Sequence, residues 1–200
     1  MTSAREVLVR RATPDDRDRV LDTVVAAFAA DPAWAYITDG EADRVAPHFA
    51  AALFDARVVN GTVWVADGGR AVAMWADRTG GPVDEAHAER VWAGYRATVG
   101  EDAWASLQRY EHALEEHAPQ GPYWYLGVLA THPSAQGTGL ATAVLQPVLA
   151  VADAAGLDCW LETSVPGNTE FYERRGFTER VQVDADGLPT TWWMRRPPRG

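Results

Sequence analysis

The amino-acid sequence predicts an α/β fold in which a mixed central β-sheet carries helices on both faces. Segments with strand-like and helix-like patterns alternate along the chain, which is typical of a sheet covered by helices. An apolar segment at residues 123–130 also runs through a glycine-containing turn into a long helical pattern. With 200 residues, 47% of them hydrophobic, the chain is long enough for one domain with its own core, which we assign to residues 1–200.

The first part of the chain carries helix-start and turn signals. Thr13 is a preferred N-cap residue, Pro14 is favoured in a first helical turn, and the acidic side chains that follow interact favourably with the helix dipole. Asp31-Pro32 ends this helix, and Asp67-Gly68-Gly69 joins two apolar runs as a hairpin turn. The predicted elements are a strand at residues 7–10, a helix from Thr13 through Phe28, a helix at about residues 41–57, and strands at 62–66 and 70–76.

The second part continues the alternation. Residues 83–118 place apolar side chains at helical spacing, which predicts an insert of one or two helices before the central strand. After that strand we predict a helix from Gly137 to Ala155 and a strand at 157–164. A short helix capped by Asn168 and ended by Gly176 follows, and then two strands separated by residues 184–187. The predicted order is β-α-α-β-β-(α)-β-α-β-α-β-β.

Charge and cysteine content narrow the class of protein. The net charge of −10 repels phosphate polymers, so we do not expect a nucleic-acid partner, and it favours a cationic ligand. The single cysteine, Cys159, lies in an apolar segment and permits no disulfide within the chain, which fits a reducing cytoplasm. No signal-peptide pattern and no apolar run of membrane-spanning length occurs in the sequence. We therefore expect a cytoplasmic monomer or homodimer without a membrane partner.

The turn at residues 136–141, Gln-Gly-Thr-Gly-Leu-Ala, has the composition of a phosphate-binding loop. Glycine lets a ligand approach the backbone closely, and the first N–H groups of a helix attract anions. A P-loop would need a lysine, which the chain lacks. A dinucleotide site would need other glycine positions and an earlier strand, although Asp158 has nearly the spacing of its acidic residue. A third interpretation is an acyl-CoA pyrophosphate loop of the form Gln-x-x-Gly-x-Gly/Ala, and the structural alternative is a plain glycine-rich turn.

A second motif decides between these interpretations. Asn168 is followed by Phe171-Tyr172-Glu173 and Gly176-Phe177, about one strand after the glycine turn. The two motifs in this order resemble the GCN5-related N-acetyltransferase (GNAT) superfamily. The segments that also resemble puromycin N-acetyltransferase and its relatives include residues 63–67, 71–75, 161–164 and 191–194. The likeness is weakest at residues 31–61 and 79–121, the stretches that would face an acceptor substrate. It therefore implies acetyl transfer, but it says little about which acceptor is used.

The resemblance implies a GNAT fold, in which the parallel strands β4 (predicted at residues 123–130) and β5 (predicted at residues 157–164) splay apart and admit acetyl-CoA as the cosubstrate. By this resemblance the pantetheine arm of acetyl-CoA binds along the backbone of Leu129, Ala130 and Thr131, and Asn168 holds the arm from the other side. The pyrophosphate binds the loop residues, which are Gln136, Gly137, Thr138, Gly139, Leu140 and Ala141. Tyr172 also contacts the cosubstrate, and no metal or other cofactor is expected.

Tyr172 and Glu162 are the candidate catalytic residues. Tyr172 matches the superfamily tyrosine that protonates the coenzyme A thiolate, and a phenol carries its proton at neutral pH. Glu162 is predicted to point away from the face of its strand neighbours, and partial burial would raise its pKa toward that of a useful base. The alternatives are a core tyrosine and a structural ion pair between Glu162 and Arg174. His132 is a second base candidate, although we expect it to be exposed at the edge of the loop.

The acceptor pocket is predicted at the end of the first helix, where the superfamily places substrate contacts. Its candidate residues are Phe28, Asp31, Trp34, Tyr36 and Glu162, and aromatic walls with acids suit a small cationic amine such as a puromycin-like antibiotic. For Trp34 and Tyr36 the alternative is helix–helix packing. Two other functions stay open: acetylation of a protein or peptide at lysine or the N-terminus, and a non-catalytic acyl-CoA sensor. His112 and His117 lie in a charged run, which we interpret as a solvated helix face rather than a metal site.

Overall fold

The structure is a computed structural model that describes residues 7–199. Its elements follow the predicted alternation of strands and helices. In chain order they are β1 (Val9–Arg11), α1 (Arg17–Phe28), α2 (Pro32–Ile37), α3 (Ala42–Val58), β2 (Val63–Ala66), β3 (Ala71–Arg78), α4 (Glu85–Val99), α5 (Glu101–Glu115), β4 (Tyr123–Thr131), α6 (Leu140–Ala155), β5 (Asp158–Thr163), α7 (Pro166–Glu173), β6 (Glu179–Val183) and β7 (Thr191–Arg196).

The strands form a seven-stranded mixed sheet in the order β1-β2-β3-β4-β5-β7-β6. Strands β4 and β5 pair in parallel, and the other neighbouring strands of the described chain pair antiparallel. Helix α6 connects β4 to β5, as a parallel pair requires a crossover connection. The mixed α/β fold predicted from the sequence is therefore confirmed.

Alternation along the strands divides the core between the two faces of the sheet. In β3, Val72 and Met74 pack with helices α1 and α3 on one face, whereas Ala73 and Trp75 pack with α6 on the other face. Successive strand residues point to opposite faces, so a strand that is covered on both sides reads as a continuous apolar run. The insert predicted at residues 83–118 forms α4 and α5, which extend the first of these two cores through Tyr95 and Leu107.

A β-bulge at Gly127 changes the alternation in the middle of β4. Met74 of β3 pairs with Val128, but Trp75 pairs with Leu126, so Gly127 has no residue directly opposite it. An extra residue of this kind bends the strand and redirects the side chains around it. The bulge lies where β4 begins to separate from β5, and this position makes it part of the candidate site.

Three local features differ from what the sequence predicts. Asp31 does end the region of α1, but it also caps α2, because its Oδ1 accepts hydrogen bonds from the N–H groups of Ala33 (2.9 Å) and Trp34 (3.1 Å). The long helix begins at Leu140 rather than Gly137, since Gly137 (φ +74°) and Gly139 (φ +85°) adopt left-handed backbone conformations.

The third concerns Asn168, which was predicted to cap the short helix. Helix α7 begins earlier, at Pro166, with Val165 in the capping position, so Asn168 lies inside the helix. Proline fixes a helical φ at a first turn and has no N–H to satisfy, and this preference outweighs that of asparagine for the cap.

Within residues 7–199, no helix has both the length and the apolar character needed to cross a membrane.

Candidate active site

The central strands separate at the middle of the sheet. Pairing between β4 and β5 covers Tyr123–Leu126 and Asp158–Leu161 and stops there, although β4 continues to Thr131 and β5 continues to Thr163. Over the same stretch the other edge of β4 stays paired with β3, from Val128 to Thr131. The backbone groups of β4 that face the gap are therefore available to an extended ligand that lies between the strands.

The glycine turn lies at the end of this gap and leads into α6. A Cβ atom added to Gly137 or to Gly139 would meet no heavy atom within 4 Å, so the space outside the turn is open. Thr138 donates its hydroxyl to the Ala135 carbonyl at 2.6 Å and fixes the turn from within. Leu140 is 5% exposed and anchors the start of α6 in the core. The result is an open cradle of backbone at the N-terminus of a helix of 16 residues, which is suited to a phosphate group.

A cavity of about 490 Å³ opens beside the separated strands. It extends from Leu129, Asn168 and Tyr172 at the gap to the helices α2, α3 and α5 on the α1 side of the sheet. Its aromatic walls come from several elements and comprise Phe28, Trp34, Phe49, Trp92, Tyr110 and Trp193. Phe28 stacks on Trp34 with ring centroids 4.6 Å apart, so this wall is a packed aromatic cluster.

Glu162 carries the only carboxylate that β5 directs into the described cavity lining. Its neighbour Leu161 is fully buried in the core on the α6 side, as the alternation of a strand predicts. Tyr125 donates its hydroxyl to Oε1 of Glu162, and Oε2 is buried without a hydrogen-bond partner among the described residues. Burial raises the pKa of Glu162 to about 7, and the Tyr125 hydrogen bond opposes that shift. Arg174 pairs with Glu170 instead, so the alternative of a Glu162–Arg174 ion pair is wrong.

Tyr172 and Asn168 reach the cavity from α7. Tyr172 is 8% exposed, and its ring packs edge-on against Phe171 and Phe177 with centroids 5.3 and 5.9 Å away. Burial raises the pKa of the Tyr172 hydroxyl, so this group is protonated at neutral pH. Asn168 donates its side-chain amide to Thr163 Oγ1 at 3.4 Å and leaves its carbonyl oxygen free of protein donors among the described residues.

The structure brings most of the predicted substrate residues together and leaves one outside. Phe28, Asp31, Trp34 and Glu162 line the same cavity. Tyr36 does not line it, because α2 turns its side chain toward α5, where the Tyr36 hydroxyl accepts a hydrogen bond from Arg109 Nε at 3.1 Å. One carboxylate oxygen of Asp31 accepts the hydrogen bonds that cap α2, and burial raises the pKa of Asp31. Tyr36 is thus placed as a link between helices, the alternative interpretation given above.

Sequence reasoning missed several residues of the cavity. Arg57 at the end of α3, Tyr125 on β4, and Tyr110 and Glu111 on α5 all contribute to the lining. Tyr125 could have been found from the strand pattern, since it lies two residues before a glycine in an otherwise apolar strand. Arg57 gives no such signal, because its position near the end of a helix is also typical of a solvated arginine.

The histidines do not gather into a site. Among the residues that the structure describes, no group of three or more His, Cys, Asp or Glu side chains is arranged to hold a metal ion. His112 lies 3.6 Å from Glu115 on an exposed helix face. His132 is half-buried rather than exposed, and its ring nitrogen Nδ1 lies 2.7 Å from the Ser134 hydroxyl.

The separated strands, the glycine cradle and the cavity lie together at the middle of the sheet. A family model described as the acetyltransferase (GNAT) family matches residues 33–177. The chain belongs to this family and is an acetyltransferase. Enzymes of the family use acetyl-CoA as the acetyl donor.

Solved structures share this fold at low sequence identity. A Corynebacterium glutamicum protein described as histone acetyltransferase HPA2 and related acetyltransferase is 22% identical, with a TM-score of 0.62 over 97% of both chains. Arylalkylamine N-acetyltransferase 2 of Aedes aegypti is 12% identical, with a TM-score of 0.65 over 98% of this chain and 100% of its own. The polyamine N-acetyltransferase of Drosophila melanogaster is 14% identical, with a TM-score of 0.63 over 96% of this chain and 100% of its own. At these identities the similarity concerns the fold.

Proposed function

We propose that this chain transfers the acetyl group of acetyl-CoA to the primary amine of a small cationic molecule, such as a puromycin-like antibiotic or a related amine. The observation that carries the proposal is Glu162, a buried carboxylate with a pKa of about 7 in a cavity that adjoins the separated strands. A group with this pKa is ionised in a large fraction of molecules at neutral pH and remains basic enough to accept a proton. Solved structures of the same fold include arylalkylamine and polyamine acetyltransferases, which supports an amine acceptor.

The shape of the site favours a small acceptor over a protein. Helix α5 of the insert supplies Leu107, Tyr110 and Leu114 to the cavity wall, so the insert contributes to a lined cavity, as a small acceptor requires. Phe28 and Trp34 provide aromatic surface in the same cavity, and Asp31 adds a carboxylate. A cation on an aromatic or sugar framework is the ligand that such walls attract.

The residues of the proposed mechanism act in sequence. The cradle at residues 136–141 and the free edge of β4 hold acetyl-CoA, with Asn168 on the opposite side of the gap. Glu162 takes a proton from the ammonium group, directly or through water, and the neutral amine then attacks the acetyl carbon. Backbone N–H groups of β4 that face the gap stabilise the oxyanion. Tyr172 finally donates its proton to the departing thiolate, so that free coenzyme A leaves, and the second proton of the attacking amine passes through solvent to restore the Tyr172 hydroxyl.

An acceptor screen with release of free thiol as the readout tests the proposed function. Puromycin, several aminoglycosides and simple arylalkylamines are offered with acetyl-CoA, together with a lysine-containing peptide. Thiol release with one or more of the small amines supports the proposal. Acetylation of the peptide alone favours a protein acetyltransferase, and binding of acetyl-CoA without any turnover favours a sensor.

Substitution of Gly139 is expected to abolish tight binding of acetyl-CoA. A Val side chain at this position, with φ +85°, occupies the open space of the cradle and strains the backbone by about 1–2 kcal/mol. Loss of hydrogen bonds to a charged phosphate weakens affinity by about tenfold or more. Isothermal titration calorimetry of Gly139→Val measures this effect.

Gly156→Val is the matched control, because Gly156 ends the same helix with φ +66° and equally open surroundings. We expect a similar loss of thermal stability in both variants and a loss of acetyl-CoA affinity only in Gly139→Val. Unchanged affinity in a folded Gly139→Val protein contradicts the assignment of the loop.

Tyr125→Phe is expected to move the pH profile without removing the base. The Tyr125 hydroxyl bonds to the Glu162 carboxylate and so favours its ionised form. Without this bond the pKa of Glu162 rises further, and the acid limb of log kcat/KM against pH shifts to higher pH. Tyr95→Phe serves as the control, since Tyr95 is buried on α4 outside the cavity lining. An acid limb that stays in place in Tyr125→Phe shows that Glu162 does not control it.

A further inference from the structure

Arg57 lies in the cavity wall as a cation that forms no salt bridge with the residues that the structure describes. It ends α3, and its side chain is mostly enclosed by the protein. Nη1 donates to the carbonyl oxygen of Leu53 at 3.1 Å, whereas Nε is buried without any hydrogen-bond partner among the described residues. Within residues 7–199 the ion pairs of the chain involve other arginines. A guanidinium retains its charge at any physiological pH, so Arg57 is an enclosed charge without a salt-bridge partner among the described residues, although the carboxylates of Glu162 and Glu111 favour its charged form from a greater distance.

The enclosure of the Arg57 side chain is unfavourable for its charged form. Burial lowers its pKa, which shows that the protein environment disfavours the charged form. Such an arrangement persists when something outside the protein chain completes it, because an unpaired buried charge otherwise destabilises the fold. Arg57 also lines the cavity, so a group that enters the cavity lies beside its side chain.

Arg57 is also close to the candidate base. A Cβ atom on Gly127 would lie 3.2 Å from Nη2 of Arg57 and 3.2 Å from Cε1 of Tyr125, so both side chains press against the backbone of the bulge. Tyr125 in turn donates its hydroxyl to Glu162. The guanidinium, the phenol and the carboxylate therefore form one continuous wall beside the point where β4 and β5 separate.

We propose that Arg57 is a specificity-determining residue that binds a carbonyl or carboxylate oxygen of the acceptor. The inference rests on the proposed function and narrows its substrate class to amines that carry such an oxygen close to the amino group. In this arrangement Glu162 receives the ammonium end, Arg57 receives the oxygen, and the aromatic walls take an apolar substituent. An amine without the oxygen leaves the guanidinium unpaired and places a second cation near it, which is unfavourable.

The experiment compares three acceptors that share one phenylethylamine skeleton. Phenylalaninamide carries a carbonyl beside the amine, phenylalanine carries a carboxylate, and phenethylamine carries neither. The kcat/KM of each is measured at one pH for the wild-type enzyme and for Arg57→Met and Arg57→Lys. The ratio of variant to wild type is then compared between acceptors, so that differences in the intrinsic reactivity and pKa of the amines cancel.

We expect Arg57→Met to lower kcat/KM for phenylalaninamide, phenylalanine or both by about tenfold or more relative to its effect on phenethylamine, the change expected from a lost hydrogen bond to a charged group. Arg57→Lys retains the charge but lacks the planar guanidinium. We expect its kcat/KM for these acceptors to lie between that of Arg57→Met and that of the wild type. Comparison of the amide with the acid tells whether the partner is a carbonyl or a carboxylate. Arg44→Met is the control, since Arg44 lies on the same helix, outside the cavity, and pairs with Glu41.

The outcomes separate this inference from the proposed function. An equal loss for all three acceptors overturns the inference and indicates that Arg57 supports the fold or the reaction itself, while acetyl transfer to small amines stands. A wild-type enzyme that acetylates none of the small amines, here or in the acceptor screen, contradicts the proposed function and the inference with it. Calorimetry with acetyl-CoA and a thermal melt identify a variant that fails to fold, in which case Arg57→Lys provides the comparison.

Discussion

Glu162→Gln is expected to lose about 100-fold or more of its activity at neutral pH and to regain it as the pH rises. Glutamine has the shape of the carboxylate and still accepts the hydrogen bond from Tyr125, but it takes no proton from the ammonium group. The variant therefore depends on amine that has already lost its proton to water. That fraction grows about tenfold for each pH unit below the pKa of the amine.

The sign of the pH dependence follows from the raised pKa of Glu162. In the wild-type enzyme the base is available when it is ionised, so kcat/KM rises with pH through about 7. In Glu162→Gln this limb disappears, and the remaining slope reflects the acceptor alone. The measurement is kcat/KM across the neutral and alkaline range with one acceptor from the screen.

Glu111→Gln provides the comparison for Glu162→Gln. Glu111 also lines the cavity, on α5, but it has no hydrogen bond with Tyr125. A residue that only attracts a cation affects mainly KM and does so evenly over pH. If Glu162→Gln changes only KM, as we expect for Glu111→Gln, then Glu162 acts by attraction and the proposed base is wrong.

Tyr172→Phe is expected to lower turnover by about 100-fold or more while acetyl-CoA binding stays nearly intact. The substitution removes one hydroxyl and keeps the ring that packs against Phe171 and Phe177, so the local fold is preserved. The missing group is a proton donor, and a basic thiolate leaves poorly without one. Steady-state kinetics gives the loss of turnover, and calorimetry gives the affinity for acetyl-CoA.

A thioester with an acidic leaving group is the control for Tyr172→Phe. An aryl thiolate is weakly basic and leaves without protonation, so thiophenyl acetate is expected to reduce the difference between the variant and the wild type. A turnover of Tyr172→Phe within about threefold of the wild type with acetyl-CoA would assign Tyr172 to packing alone, given the usual size of general-acid effects.

Local patterns in the sequence were sufficient for much of the fold. The alternation of strand and helix signals predicted the mixed sheet, and helical spacing at residues 83–118 predicted the insert that became α4 and α5. The period of two in β5 correctly placed Leu161 in the core and Glu162 on the opposite face. These features depend on neighbours within a few residues, and such neighbours are visible in the sequence.

Short elements with competing signals were predicted less well. Asp31-Pro32 is both a stop for α1 and a start for α2, and the folded chain forms the second helix beside α5. The same choice turns Trp34 into the cavity and Tyr36 away from it. Asn168 likewise is a good cap in isolation, but Pro166 starts the helix before it.

The sequence by itself determined the class of fold, the glycine turn before α6 and the strand face that carries Glu162. Only the tertiary structure decided the composition of the acceptor cavity, because its wall joins residues that are distant in the chain. Arg57 from α3 and Tyr125 from β4 meet at the bulge of Gly127, and Glu162 from β5 joins them through a hydrogen bond. Burial at this meeting point raises the pKa of Glu162 and leaves Arg57 Nε without a hydrogen-bond partner within residues 7–199, and neither effect has a local signal in the sequence.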